Sequence, residues 1–409
     1  MTKHERIILF LLASLNFTHI LDFMIMMPLG NYLNVSSMQF SILVAAYSIT
    51  AFFSGLAIAM YIDRFDRKKF LLFAYIGFVI GTLACGFAPT YGLLLAARIV
   101  AGLFGGIIGA QVLSIVADMF TYERRGRAMG AVMGGFAAAS ILGVPISLYL
   151  TNIFQKDWHV PFLLIGGMGI LFIPLIIKFI PNMTGHINKA NQVAPWRSLL
   201  VVCTVPAQRS ALIFSCLLMM GHFLIIPFIN PYLEYNKGFS KAQTPLIYLA
   251  GGIASLIAAI YLGKVADKKG KLVIFSISVF LSLFMVLIIT AMPNVSLGIV
   301  LTFFAIWFIV ATGRIVTAQA MISEVVKPEQ RGSFMSINGS VQQLGSGLAA
   351  LFAGAIVVTQ PSGKILYYNW VGYLSIIVLL ATLFYGRLIF RKVDYAEKET
   401  EPELVSGTA

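Results

Sequence analysis

The sequence predicts an all-α membrane protein with twelve transmembrane helices in two pseudo-symmetric six-helix bundles. Composition, the length of the apolar segments and an internal repeat together support this fold class. Of the 409 residues, 59% are hydrophobic and only 11% are charged, whereas a soluble domain carries about a quarter charged residues. A soluble core of this length does not bury so much apolar surface, so the composition indicates a chain embedded in a lipid bilayer.

Long apolar segments make up most of the chain. Each has roughly 20 residues, the length that a helix needs to cross the ~30 Å hydrocarbon layer of a bilayer. The first segment is too long for a signal peptide and no small-x-small cleavage site follows it, so we expect it to be retained as a helix. The segments lie near residues 7–30, 39–62, 70–89, 92–117, 128–151, 160–180, 210–233, 244–263, 272–292, 296–322, 334–358 and 369–390.

Basic residues are distributed unequally between the two faces of the predicted bundle. Of the 29 Lys and Arg residues, 23 fall on one face, four fall on the other, and Arg98 and Arg314 fall inside apolar segments. Basic residues accumulate on the cytoplasmic side of membrane proteins, and an even number of spans places both termini on one side. Both termini are therefore predicted to be cytoplasmic. The net charge of +13 is interpreted as a topology signal, and no nucleic-acid partner is expected.

The two halves of the chain resemble each other. Asp63 and Asp267 lie in similar basic loops, 204 residues apart. Arg125 and Arg331 open similar helices, 206 residues apart. Parallel six-helix repeats are typical of secondary transporters that bind cargo between the halves. The predicted organisation is a bundle at 1–181, a cytoplasmic linker at 182–208, a second bundle at 209–392 and a disordered cytoplasmic tail at 393–409.

Several motifs in this sequence resemble those of the major facilitator superfamily, in particular its drug:proton antiporter and sugar-efflux-like branch. Residues 263–271, with Asp267, Gly270 and Lys271, match the superfamily loop signature G-x-x-x-D-[RK]-x-G-[RK]. The loop at 59–68, which includes Asp63, Arg64 and Arg67, is a less complete copy with Ala59 and Asp66 at the usual glycine positions.

Three further motifs lie within the predicted helices. Arg98 with Gly102 resembles the fourth-helix arginine motif, and Gly143-Val144-Pro145 resembles the fifth-helix antiporter motif. Leu21-Asp22, followed by Pro28-Leu29, resembles the first-helix motif of proton-coupled exporters.

The resemblance implies a monomeric transporter in a bacterial inner membrane, which exports a small-molecule substrate by alternating access. The transporter is expected to be embedded in the lipid bilayer and to be driven by a proton gradient, and no cofactor is expected. Because direction follows from the motifs alone, a proton-coupled uptake symporter and a lipid flippase remain alternatives. The residues themselves do not exclude Na⁺. An enzyme is not expected, since the sequence has no catalytic motif and no metal-ligand spacing; Cys85, Cys203 and Cys216 are interpreted as free thiols.

Two charged residues lie at similar depth inside apolar segments. Asp22 and Arg98 are each roughly 10 Å from the same membrane face at 1.5 Å per residue. Burying an isolated charge at such depth costs roughly several kcal/mol, so each of the two residues needs a partner. We expect the two to pair beside a water-filled cavity between the halves, with Asp22 as the proton carrier and His19 as a relay. The alternatives are a static ion pair for Asp22 and Arg98, and a packing role for His19.

Other polar residues in the apolar segments are candidates for lining a substrate cavity. His222 aligns with Asp22 at an offset of 200 residues. Arg314 attracts an anionic group of the cargo, or it pairs with Glu324 or a carbonyl group. The complete set of cavity candidates is Asn16, Gln111, His222, Asn230, Arg314 and Gln342.

The repeated loops predict a conformational latch between the halves. A carboxylate is stabilised at a helix N-terminus, where backbone N–H groups are unpaired. Asp63 is expected to dock beside Arg331 and Gly332, and Asp267 beside Arg125 and Gly126, when the cytoplasmic side is closed. The alternative is that these loops carry only solvated topology charges. Helix packing and gating are assigned to Gly102, Gly106, Gly143 and Pro145.

Overall fold

Twelve long helices make up most of the computed structural model, which describes residues 2–61, 65–120, 122–154, 157–184, 202, 204–326 and 331–399. They alternate in direction, so α1 begins and α12 ends on one side, here called the terminal side; the opposite side is the distal side. The helices are α1 (Lys3–Ile25), α2 (Ser37–Tyr61), α3 (Arg67–Gly86), α4 (Tyr91–Met119), α5 (Tyr122–Ala138, then a π-helical turn Ala139–Gly143 and Val144–Ile153), α6 (His159–Phe179), α7 (Pro206–Phe223), α8 (Pro245–Lys269), α9 (Lys271–Thr290), α10 (Leu297–Glu324), α11 (Arg331–Ile356) and α12 (Tyr368–Glu399).

Eleven of these helices, within the part of the chain that the structure describes, are long and apolar enough to cross a membrane. The remaining helix, α11, has 26 residues, and at 1.5 Å per residue it is also long enough to span. It packs along α2: Ser340 lies beside Gly55, Ser48 beside Gly347, and Ser41 beside Gly354. Helices of the two halves therefore run side by side from the terminal side to the distal side.

Prolines end the first helix of each half. Pro28 opens a 3-10 turn, Pro28–Tyr32, after α1, and Pro227 lies in the 3-10 turn Ile226–Phe228 after α7. Because proline has no backbone N–H, the α-helical hydrogen-bond pattern cannot continue through it. The predicted first span, 7–30, consequently extends too far, since α1 ends at Ile25.

Short elements complete the distal side. A helix at Ile229–Pro231 and a π-helical turn at Tyr232–Asn236 precede α8. Between α11 and α12, strand β1 (Val358–Thr359) pairs antiparallel with β2 (Ile365–Leu366), with Val358 opposite Leu366.

The turns of the two repeated loops have different local structures. Asp66 caps the N-terminus of α3, since its carboxylate accepts hydrogen bonds from the backbone N–H groups of Lys68 and Lys69. This accounts for an aspartate where the family motif has glycine. Gly270 joins α8 to α9 with a φ of 95°, a conformation that glycine adopts without a steric penalty.

The C-terminal boundary differs from the prediction. α12 continues to Glu399, so residues 393–399 belong to a helix and not to a disordered tail. The segment is rich in Ala, Glu and Lys, which are strong helix formers. Most of the predicted linker and residues 400–409 lie outside the described residues.

The π-helical turn in α5 lies where the sequence predicts a bend. Pro145, two residues after this turn, lacks the N–H that would continue the ladder, and such turns are frequent at functional positions in helices. A Cβ atom at Gly143 would lie 2.7 Å from the Leu21 side chain of α1. The glycine therefore permits close packing of α1 against α5.

Two glycines of α4 contact the α2 backbone closely. A Cβ atom at Gly106 would lie 2.3 Å from the carbonyl oxygen of Ala51, and one at Gly102 would lie 2.4 Å from that of Tyr47. The predicted close packing at Gly102 and Gly106 is therefore observed, whereas a gating role stays a prediction.

Gly106→Ala is expected to lower the unfolding midpoint of the purified protein, because α2 and α4 must separate to admit the methyl group. Overpacking of this kind costs typically about 1–3 kcal/mol. Gly109→Ala is the matched control, since a Cβ atom there would lie 3.8 Å from the His19 Cε1 atom, an ordinary van der Waals distance. Equal midpoints for the two variants in thermal unfolding would contradict the close contact.

Candidate functional site

A buried ion pair links α1 to α4 in the first bundle. The NH1 nitrogen of Arg98 lies 2.8 Å from the Oδ2 atom of Asp22, and both side chains are 0% exposed. The same nitrogen donates to the backbone oxygen of Asp22 at 3.3 Å. The predicted contact is therefore present, and its role in proton coupling stays a prediction.

Aromatic rings enclose this pair. The guanidinium carbon of Arg98 lies 4.5 Å from the centroid of the Tyr47 ring and 5.9 Å from that of Phe162. Because α2 and α6 supply these rings, the pair lies inside the first bundle. The expected water-filled surroundings between the halves are thus wrong for this conformation. Among the described residues, Asp22 is the only Asp or Glu in the buried class.

His19 lies one turn before Asp22 on α1 and faces Gly105 and Gly109 of α4. A Cβ atom at Gly105 would be 3.1 Å from its ring. Its Nδ1 atom has no hydrogen-bond partner within the described structure, and the Tyr47 hydroxyl donates to its backbone oxygen at 3.4 Å. Tyr47, which sequence reasoning missed, therefore contacts both His19 and Arg98.

A second buried cluster joins α7 to α10 in the second bundle. The Arg314 NH2 nitrogen lies 2.7 Å from the His222 Nδ1 atom, and the His222 ring stacks on Trp307 with centroids 5.2 Å apart. All three side chains are buried. Sequence reasoning missed Trp307, although a tryptophan inside an apolar segment and away from the membrane interface is a usable signal.

Of the three alternatives for Arg314, the pairing with Glu324 is wrong. Glu324 forms an ion pair with Lys271 at the terminal ends of α10 and α9. Since Glu324 lies ten residues beyond Arg314 on a straight helix, about 15 Å along the axis, the two side chains do not reach each other.

His222 on α7 contacts α10, as His19 on α1 contacts α4, and the alignment of His222 with Asp22 in the repeat stays a prediction. When the two halves are aligned at the offset of 206 residues, Arg314, the partner of His222, corresponds to Ile108 of α4. Ile108 lies between Gly105 and Gly109, the two glycines that face His19. Both bundles therefore carry a buried histidine on their first helix, and among the described residues the first bundle alone adds a buried carboxylate.

Three of the four remaining cavity candidates are hydrogen-bonded to a neighbouring helix. Asn16 donates to the backbone oxygen of Val132 on α5 at 3.0 Å. Gln342 donates to Ser215 on α7 at 3.1 Å, and Tyr248 donates to Asn230 at 3.1 Å. Gln111 is 0% exposed, and its amide has no partner among the described residues.

Polar contacts hold the two bundles together on the distal side. The backbone oxygen of Asn31 accepts from Lys241 at 3.2 Å and from Tyr235 at 3.5 Å. Asn152 donates to the backbone oxygen of Lys241 at 3.1 Å, and the hydroxyls of Ser37 and Thr359 are hydrogen-bonded. These four hydrogen bonds each join a residue of the first bundle to a residue of the second. We call the six residues the distal gate.

On the terminal side, the described ion pairs lie within one bundle. Arg67 pairs with Asp118 at 2.9 Å, and Lys271 pairs with Glu324. The Asp267 side chain is exposed and Arg331 is half-buried. The latch stays a prediction, since Asp63 and Arg64 lie outside the described residues and only the backbone is described at Arg125, Gly126 and Gly332.

Relatives of this chain are transporters. The chain is 22% identical over 386 residues to a probable sugar efflux transporter of Helicobacter pylori strain 26695, covering 94% of this chain and 95% of the relative. It is 25% identical over 315 residues to the MFS-type transporter YbcL of Bacillus subtilis, covering 77% and 78%. These names agree with the expectation of a transporter and not an enzyme.

Solved structures show the same fold. The D-xylose–proton symporter superposes with a TM-score of 0.73 at 16% identity, covering 93% of this chain and 97% of that one. A bacterial homologue of the human lysosomal transporter Spinster, in an inward-facing and unoccupied conformation, gives 0.71 at 15% identity, covering 97% and 98%. The predicted two-bundle fold is confirmed.

The family model described as Major Facilitator Superfamily matches residues 7–318 and 211–407. These two matches together span both bundles. The chain belongs to the Major Facilitator Superfamily and is a multi-pass membrane transporter.

Proposed function

We propose that this transporter exports small organic molecules in exchange for protons. The observation that carries the proposal is the buried Asp22–Arg98 pair between α1 and α4. Protonation of Asp22 removes the counter-charge of Arg98. In the low-dielectric interior of the bundle, an unpaired charge costs roughly several kcal/mol. The bundle must then repack or admit water around the guanidinium. Proton binding is in this way linked to a change in helix packing, which a coupled transporter requires.

Alternating access follows from the distribution of contacts between the bundles. The distal gate joins them on the distal side, and the cation of Lys241 also lies 3.8 Å from the ring centroid of Tyr32. We propose that cargo enters from the terminal side while the distal gate is closed. Opening the distal gate requires the loss of four hydrogen bonds, each worth about 0.5–1.5 kcal/mol net.

The direction of transport is the finer part of the proposal. The name of the Helicobacter pylori relative, a probable sugar efflux transporter, favours export. A proton-coupled uptake symporter is the second candidate. It has the same fold, as the D-xylose–proton symporter has, and it needs the same buried carboxylate.

The orientation and assembly are also proposed. The excess of Lys and Arg on the terminal side favours cytoplasmic termini in the inner membrane of a bacterium. We propose that the transporter acts as a monomer, since each chain carries both bundles and the interface between them.

Everted membrane vesicles separate export from uptake. A pH gradient with an acidic vesicle interior is expected to drive accumulation of one or more labelled sugars from a panel. Collapse of the gradient with a protonophore is expected to abolish this accumulation. A proton-coupled uptake symporter would instead show accumulation in right-side-out vesicles under an inward proton gradient. Accumulation in neither preparation would contradict proton-coupled transport of the solutes in the panel.

Crosslinking the distal gate is expected to stop transport. Ser37→Cys with Thr359→Cys places two thiols where two hydroxyls are hydrogen-bonded. In a background without the native cysteines, oxidation should abolish flux and a reducing agent should restore it. The two single-cysteine variants are the controls. Full transport by a completely crosslinked protein would contradict opening of this gate.

A further inference from the structure

The second bundle contains a buried cation, Arg314, for which the described residues provide no counter-charge. Arg314 is 1% exposed, and its NH2 nitrogen donates to the His222 Nδ1 atom. Its Nε and NH1 atoms have no hydrogen-bond partner among the described residues. Arg98 is equally buried but has the Asp22 carboxylate. The two bundles therefore differ in charge: in the buried pairs described above, the first is neutral and the second carries one positive charge.

His222 does not neutralise this charge. A guanidinium group has N–H donors and no acceptor, so the His222 Nδ1 atom must be the unprotonated nitrogen of the contact. A neutral imidazole provides one hydrogen bond and no negative charge. The desolvation cost of the guanidinium, several kcal/mol in order of magnitude, is thus only partly offset by the contacts that the described residues make.

The buried, unpaired side-chain atoms of Arg314, His222 and Trp307 themselves are all donors. Besides the two guanidinium nitrogens, the Nε1 atom of Trp307 is buried without a partner in the described structure. A carboxylate accepts hydrogen bonds through both oxygens and carries the missing charge. The chemistry of the cluster therefore matches a carboxylate more closely than it matches a neutral hydroxyl group.

Aromatic side chains form the walls beside these donors. Phe304 and Phe308 pack edge-on against Trp307, with centroids 6.2 and 5.1 Å apart. Phe223, adjacent to His222, lies 5.7 Å from Phe23 of α1 across the interface between the bundles. The cluster is therefore next to the interface that alternating access opens, and its apolar walls favour a ligand with an apolar or aromatic body.

We propose that Arg314, His222 and Trp307 form a subsite for the carboxylate of an apolar or aromatic monoacid. This assignment rests on the proposed transport function and narrows the cargo to organic anions. Arg314 supplies the charge, the Trp307 indole donates a further hydrogen bond, and His222 positions the guanidinium.

Benzoate and benzamide, which differ in charge but little in shape, provide the binding test. A ligand that binds only the folded protein raises the unfolding midpoint as its concentration increases. Benzoate is expected to raise the midpoint of the purified full-length transporter in a saturable manner, and benzamide is expected to leave it unchanged. An equal effect of the two compounds, or no effect of benzoate, would overturn the subsite.

Two variants locate the binding. Arg314→Gln is expected to abolish the benzoate shift, and Trp307→Phe, which keeps a ring but loses the N–H group, is expected to weaken it. Arg387→Gln removes an exposed arginine of the same bundle, which contacts Ser276, and is expected to keep the full shift. A full benzoate shift in both Arg314→Gln and Trp307→Phe would place the anion elsewhere and overturn the assignment.

Flux measurements distinguish this inference from the proposed function. Proton-driven flux of a neutral sugar, with no benzoate shift, would leave the transport function standing and overturn the carboxylate subsite. The opposite result combines a benzoate shift of the purified protein that requires Arg314 with no proton-driven flux of any solute in vesicles. It would leave the subsite standing and overturn proton coupling.

Discussion

Arg98→Met is expected to destabilise the protein severely, by about 3–5 kcal/mol, because it leaves the Asp22 carboxylate buried without a counter-charge. The expected result is a large fall in the unfolding midpoint of the detergent-purified protein. Arg98 also contacts the Tyr47 ring, and methionine retains most of that packing. The main effect therefore comes from the charge.

The double variant Asp22→Asn/Arg98→Met tests this explanation. It removes both charges, and well-packed uncharged substitutes for a buried pair are often neutral or stabilising. We expect it to recover most of the stability that Arg98→Met loses. Arg387→Met is the control, since its arginine is exposed and contacts a neutral serine. A double variant as unstable as Arg98→Met would show that the loss is one of packing and not of charge.

Asp22→Asn is expected to abolish proton-driven transport while sparing exchange of cargo across the membrane. Asparagine keeps the shape of the side chain and can accept a hydrogen bond from Arg98, but it does not bind and release a proton at neutral pH. Counterflow needs only alternating access, so labelled cargo should still equilibrate against unlabelled cargo. Accumulation under a pH gradient should disappear.

Glu234→Gln provides the matched control for this experiment. Glu234 is the acidic residue near the distal gate, where its Oε1 atom accepts from Thr244 at 3.0 Å. Its neutralisation should leave proton-driven accumulation in place if Asp22 is the carrier. Accumulation that survives Asp22→Asn, or that is lost only in Glu234→Gln, would move the proton site away from α1.

Much of the architecture was predictable because the bilayer constrains it. The membrane spans, the internal repeat and the boundary between the bundles follow from the length of the apolar segments and the placement of charged residues. Both depend on the sequence alone. The end of α1 was misplaced because hydropathy continues through Pro28, whereas the backbone pattern does not. The helical extension to Glu399 was missed because its acidic composition also matches disorder.

The site was predictable only in part. Asp22 and Arg98 were paired correctly from equal depth and the cost of a buried charge. The distal gate was missed, because backbone oxygens such as that of Asn31 carry no sequence signal. Arg314 was left open between three partners, and only the structure assigns His222 as the residue it contacts. The surroundings of the Asp22 pair were wrong, because enclosure by Tyr47 and Phe162 depends on how four helices pack.

Paired distance measurements test most directly whether protonation of Asp22 rocks the two bundles. Spin labels at Phe87 and Ser362 report the distal side, and labels at Lys69 and Lys268 report the terminal side; all four positions are exposed. Changing from alkaline to acidic buffer is expected to change the two distances in opposite directions, and Asp22→Asn is expected to hold both fixed. Distances that do not respond to pH, or that respond equally in Asp22→Asn, would contradict this mechanism.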